Sequence, residues 1–100
     1  MMSTIKERIL MKEAQKIARK IETACENGSL FDLFEGSHVG TFGSNKLEYV
    51  NVIFGDCPWT ELQFDVRENN AWIYIGSTRA RVPQRAIYEL KNFFSNLHYC

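Results

Sequence analysis

Thr60-Glu61-Leu62-Gln63-Phe64-Asp65-Val66-Arg67 is followed, after Glu68-Asn69-Asn70, by Ala71-Trp72-Ile73-Tyr74-Ile75-Gly76-Ser77-Thr78. The first run alternates, with Leu62, Phe64 and Val66 on one side and Glu61, Gln63, Asp65 and Arg67 on the other. A period of two is the mark of a strand with one buried face. The second run is rich in β-branched and aromatic residues, which suit a pleated surface. Asn69-Asn70 predicts a tight turn, because asparagine accepts positive φ more readily than most residues. Counting outward from that turn sets Arg67 opposite Trp72, Val66 opposite Ile73, Asp65 opposite Tyr74 and Phe64 opposite Ile75. The apolar pairs then share one face, and a slip of one residue would scatter them.

Upstream, Lys46 to Phe54 carries the same pattern. Val50, Val52 and Phe54 go to the core face, and Leu47, Tyr49, Asn51 and Ile53 to the other. His38 to Phe42 is a weaker strand, joined through a Gly43-Ser44-Asn45 loop. Gly55-Asp56-Cys57-Pro58 is a turn, since proline fixes its own φ and withholds a donor. Ser29 to Gly36 is short and apolar; it forms a single helical turn capped by Ser29 and Asp32, or a plug at one end of the core. The period changes to 3.6 at both ends of the chain. Thr4 and Glu7 form a capping box, and Ile9 or Leu10, Ala14, Ile17, Ala18, Ile21, Ala24 and Cys25 follow at helical spacing up to Asn27-Gly28. Pro83 opens the closing helix, whose stripe is Ala86, Ile87, Leu90, Phe93, Phe94 and Leu97.

The expected architecture is α+β, a two-layer α/β sandwich in one domain spanning 1–100. It has a helix over 4–27, a segment over 29–36, and a three- or four-stranded antiparallel meander with strands at 38–42, 46–54, 60–67 and 71–78. A helix over 83–98 closes the chain, and both helices lie on one face of the sheet. With three strands the order αβββα resembles that of double-stranded-RNA-binding domains in topology alone. The glycine-rich and lysine-rich signature of that family is absent, and no family is recognised from the residues.

One hundred residues with 45% apolar and 13% aromatic content can bury one core without a metal or disulfide. Cys25, Cys57 and Cys100 are an odd, scattered set, and the N-terminus is charged from Lys6 with no apolar run behind it. Both features lead to the expectation of a cytoplasmic protein without a membrane anchor. The net charge is zero, yet residues 29–70 hold seven acids against two bases while both ends are mildly basic.

Catalytic chemistry finds little support. Cys57 in its turn has only His38, far along the chain, as a candidate base, and thiol catalysis needs a thiolate made by a nearby base or cation. His98 and Cys100 fall short of the four ligands of a structural zinc site. Gly36, Gly40 and Gly43 match no phosphate-binding loop. The expectation is a non-enzyme with no metal and no cofactor.

What stands out is the sheet face away from the helices. It would carry Tyr49, Trp72 and Tyr74 with Glu61, Asp65 and Arg67, Leu47 and Ile53 being nearby. Exposed aromatics give large contact area at low entropy cost. The expectation is therefore a protein partner with a basic surface, bound by a small inhibitor or modulator of the phage-encoded or antitoxin/immunity type. Coverage of this face by Leu30–Phe34, or by a second copy in a homodimer, is the competing reading. The alternative function is nucleic-acid binding through Lys12, Lys16, Arg19 and Lys20 of the first helix with the Arg79, Arg81 and Arg85 corner. It is the weaker reading, because four of the six bases of the first helix have an acid adjacent or within one helical turn, as on a solvated face, and the aromatic face is itself too acidic for phosphate.

Overall fold

Alanine and isoleucine at three- and four-residue spacing hold α1 (Ile5–Asn27) against the sheet through Ala14, Ile17, Ala18, Ile21 and Ala24. Of the two candidates for its first apolar turn, Leu10 packs against the core and Ile9 stays exposed. The helix ends as expected at Asn27-Gly28. Gly28 takes φ +68°, and the Ser29 N–H donates to the Ala24 carbonyl at 2.9 Å in a Schellman arrangement. The computed structural model describes residues 5–43, 46–55 and 60–98, with His98 described by its backbone alone. The Thr4 cap, Ser44-Asn45, the Asp56–Trp59 turn with Cys57, the His98 side chain and Cys100 lie outside the described residues.

A one-turn helix, α2 (Leu30–Leu33), follows, and Ser29 caps it without a side-chain hydrogen bond. Its apolar residues plug the core: Leu30 and Phe34 are buried. The Phe34 ring stacks on Phe94 at 5.6 Å between centroids and tilts against Phe54 and Phe93 at 5.9 and 5.8 Å. The segment therefore lies on the helix side of the sheet.

Five strands form one antiparallel meander in chain order, β1 (His38–Phe42), β2 (Tyr49–Ile53), β3 (Thr60–Asp65), β4 (Asn70–Ile75) and β5 (Thr78–Arg81). The fifth strand corrects the expected three or four. The run expected to continue through residue 78 turns instead at Gly76-Ser77. Gly76 takes φ +58° and no positive φ falls on Ser77, which is the pattern of a two-residue type II′ hairpin. The order is αβββββα once α2 is set aside, which also removes the three-strand topology behind the resemblance to double-stranded-RNA-binding domains.

The β3–β4 register is the second correction. Ile75 faces Thr60 rather than Phe64, Trp72 faces Gln63 rather than Arg67, Ile73 faces Leu62, and Tyr74 faces Glu61. Asn69-Asn70 is not the turn centre, because Asp65 pairs with Asn70 across a four-residue loop, Val66–Asn69. The Glu68 N–H donates to Asp65 Oδ1 at 3.0 Å, and Asn69 alone takes positive φ, at 55°. A type I′ turn would need two such residues.

Helix α3 (Ile87–His98), entered through Pro83 and a 3₁₀ turn at Gln84–Ala86, completes the second layer. Helix α1 packs on β4 and β5, while Phe94 of α3 meets Phe64 of β3 at 6.2 Å. Both helices cover the face lined by Val50, Val52, Leu62, Phe64, Ala71, Ile73, Ile75, Thr78 and Ala80, all buried. Leu47 belongs to this core as well, at 9% exposure, and not to the opposite face. It precedes β2, so the alternation of that strand does not reach it.

Candidate functional site

Side chains alternate across the sheet, so the register alone defines the uncovered face. Reading across the strands, one row is His38, Ile53, Glu61, Tyr74 and Arg79. The next is Gly40, Asn51, Gln63, Trp72 and Arg81, and the third is Phe42, Tyr49, Asp65 and Asn70. Among the described residues, both helices and the Leu30–Phe34 segment lie on the other side, so none of these covers the face.

The rows give the face a polarity that composition alone did not show. At the β1–β2 side Phe42, Tyr49 and Ile53 are each about half exposed (54%, 46% and 51%). The central strand presents Glu61 and Asp65, with Gln63 Nε2 donating to Glu61 Oε2 at 3.4 Å. Each carboxylate has an aromatic cross-strand neighbour: Tyr49 opposite Asp65 and Tyr74 opposite Glu61. At the far side the Arg79 guanidinium lies 4.1 Å from the Trp72 ring centroid, and that of Arg81 lies 5.7 Å away. These are cation–π distances, and they fix the half-buried indole under two positive groups.

Of the residues expected at a partner site, Tyr49, Glu61, Asp65, Trp72 and Tyr74 share this face. Arg67 does not. It sits in the Val66–Asn69 loop and lines a groove with Leu47, Lys91 and Ser95, at the α3 side. The bases of the face are Arg79 and Arg81, so the face is not uniformly acidic. The alternation of Thr78, Ala80 and Val82 with Arg79 and Arg81 was the signal that could have placed them there.

The residues expected to bind nucleic acid do not form one surface. Lys16, Arg19 and Lys20 line an open groove of about 640 Å³ between α1 and α2, together with Asp32 and Leu33. Arg79 and Arg81 occupy the opposite side of the sheet. Arg85 Nε donates to Glu22 Oε2, an ion pair that holds the Glu22 carboxyl below its ordinary value, first through the hydrogen bond.

Cys25, on the α1 stripe, is half-buried beside this pair, and its Sγ lies 3.7 Å from the Ala86 carbonyl. Burial first, and then the carboxylates of Glu89, Glu22 and Glu26, push its thiol up to about 11. It is the reverse of an activated nucleophile. Among the described residues no group of three or more His, Cys, Asp or Glu gathers to hold a metal, and no helix is long and apolar enough to cross a membrane. The chain matches no family model, no curated protein and no solved structure.

Proposed function

We propose that this chain is a small non-catalytic interaction module whose partner is a protein docking on the open sheet face. The observation that carries the reading is the placement of Phe42, Tyr49, Ile53, Trp72 and Tyr74 on one uncovered face, opposite a core that already occupies both helices. Glu61 and Asp65 support a basic partner. Each carboxylate stands beside a tyrosine, a setting that receives a lysine or arginine through a charge-assisted hydrogen bond and a ring contact together. The partner therefore presents basic side chains to the middle of the face and apolar ones to its β1–β2 flank. Modules of this kind act by occupying a partner's surface, as inhibitors and antitoxin or immunity proteins do.

The test is affinity capture on the intact chain, repeated with Trp72→Ala/Tyr74→Ala and with Glu61→Lys/Asp65→Lys, each checked for folding by circular dichroism. Truncating an aromatic anchor costs about 2 kcal/mol or more, so the captured protein should bind at least about 30-fold more weakly to the first variant. Equal capture by both folded variants would refute the proposal. Light scattering separates the homodimer reading: a dimer that dissociates on Trp72→Ala/Tyr74→Ala would assign the face to a second copy.

A further inference from the structure

The β5 edge adds backbone chemistry beside Arg79 and Arg81, the two arginines of the open face. The Val82 N–H donates to the Ala71 carbonyl at 2.9 Å. With Ile73 opposite Ala80 and Ile75 opposite Thr78, that bond sets the phase of the ladder. Thr78, Ala80 and Val82 turn their backbone groups toward β4, and Arg79 and Arg81 turn theirs outward. Among the described residues no strand lies beyond β5 in the sheet. Two N–H and C=O pairs, about 7 Å apart along the strand, thus face away from it at residues whose side chains are exposed.

Those two residues also bring the charge. Arg79 and Arg81 rest on Trp72, and among the described residues neither forms an ion pair with a carboxylate; the ion pair found there is Arg85–Glu22. A strand added at this edge would place the side chains directly opposite Arg79 and Arg81 on the same face as the guanidinium groups, about 5 Å away. A second copy pairing antiparallel here would set arginine against arginine, which disfavours self-association by this edge.

We infer that the β5 edge accepts an extended acidic segment of a protein partner as a sixth strand, with Asp or Glu at alternate positions opposite Arg79 and Arg81. Backbone hydrogen bonds supply the docking and the two arginines supply the choice of sequence. The other edge is built differently. In β1 the outward-turned residues are Val39 and Thr41, whose side chains lie on the helix side of the sheet, so that edge offers no charged pair beside its backbone groups.

The probe is a short synthetic peptide of alternating valine and glutamate, titrated into the ¹⁵N-labelled intact chain. Its lysine counterpart and a version N-methylated at alternate residues are the controls. The acidic peptide should shift the Arg79 and Arg81 amide signals and slow their hydrogen exchange. Arg79→Glu/Arg81→Glu should weaken binding by about tenfold or more and transfer the preference to the lysine peptide. The variant also removes both cation contacts to Trp72, and the rest of the spectrum reports whether the fold is kept. Three results would overturn the inference: unperturbed Arg79 and Arg81 amides at millimolar peptide, equal binding of the N-methylated peptide, or unchanged preference in the charge-reversed variant. The peptide titration is read with Trp72 and Tyr74 intact, and the capture experiment with Arg79 and Arg81 intact, so failure of the edge and failure of the face are distinguishable.

Discussion

The open face exists because residues 29–36 dock on the helix side, and the Phe34–Phe94 stack is where that docking can be tested. The two rings lie 5.6 Å apart with their planes 25° from parallel. Phe34 also touches Phe54 and Phe93, and Phe94 also touches Phe64 and Phe93. Replacing both with alanine is too severe. Each such change costs about 3–5 kcal/mol, and two would exhaust a domain stability of about 5–15 kcal/mol. Leucine keeps most of the apolar area but abolishes the ring–ring attraction, worth about 0.5–1.5 kcal/mol for each pair. Because either ring packs against three others, Phe34→Leu and Phe94→Leu should each destabilise by about 1.5–4.5 kcal/mol. The shared stack enters both single variants, so the double variant should lose less than the sum, by about 0.5–1.5 kcal/mol. Urea unfolding followed by circular dichroism measures all three free energies. Additivity within about 0.3 kcal/mol would mean that the rings do not meet. The uncovered state of the opposite face would then lose its support.

Two further outcomes follow from local chemistry. With its thiol near 11, Cys25 should alkylate at pH 8 about two orders of magnitude more slowly than an ordinary thiol of pKa about 8.5; timed alkylation with peptide mass spectrometry reads this, and a rate within tenfold of a free thiol would contradict it. Gly43→Ala should cost more than Gly76→Ala although both positions have positive φ. A Cβ at Gly43 would fall 1.8 Å from the Lys46 carbonyl oxygen, whereas one at Gly76 meets nothing within 4 Å. Expected losses in urea unfolding are above about 2 kcal/mol and about 1 kcal/mol respectively, and equal losses would refute the close approach at Gly43.

What is legible in the residues follows from periodicity, and what is not follows from its blind spots. Leu62, Phe64, Ile73 and Ile75 sit on the buried face as alternation requires, yet the β3–β4 pairing differs from the one counted from Asn69-Asn70. A pattern of period two is unchanged by an even slip, so it assigns faces without assigning partners. Partners are set by turn chemistry, in which the Asp65 carboxylate bonding the Glu68 N–H outweighs the pair of asparagines. Leu47 is misplaced when a strand's alternation is extended beyond its end. The costliest omission is β5, only four residues long with arginine at two of them. Without it Arg79 and Arg81 read as a corner near the last helix, and the aromatic face reads as acidic with Arg67 as its one base. Tyr49, Glu61, Asp65, Trp72 and Tyr74 group correctly, because each is fixed by its parity within a strand.

The docking of α1 on β4 and β5 has a consequence during synthesis. Every strand of the meander can pair with the one made just before it, so the sheet needs only near neighbours to form. The first helix has no such neighbour. Its partner hairpin emerges about 50 residues later, which at roughly 5–20 residues per second is several seconds of translation. For that interval Ile17 and Ile21 have no sheet to meet, and of its final neighbours α1 has only the one-turn α2 close behind it in the chain. Lys12, Lys16, Arg19 and Lys20 on its other side are exposed in the finished fold, so the apolar stripe alone is the part of the helix that waits for the last hairpin.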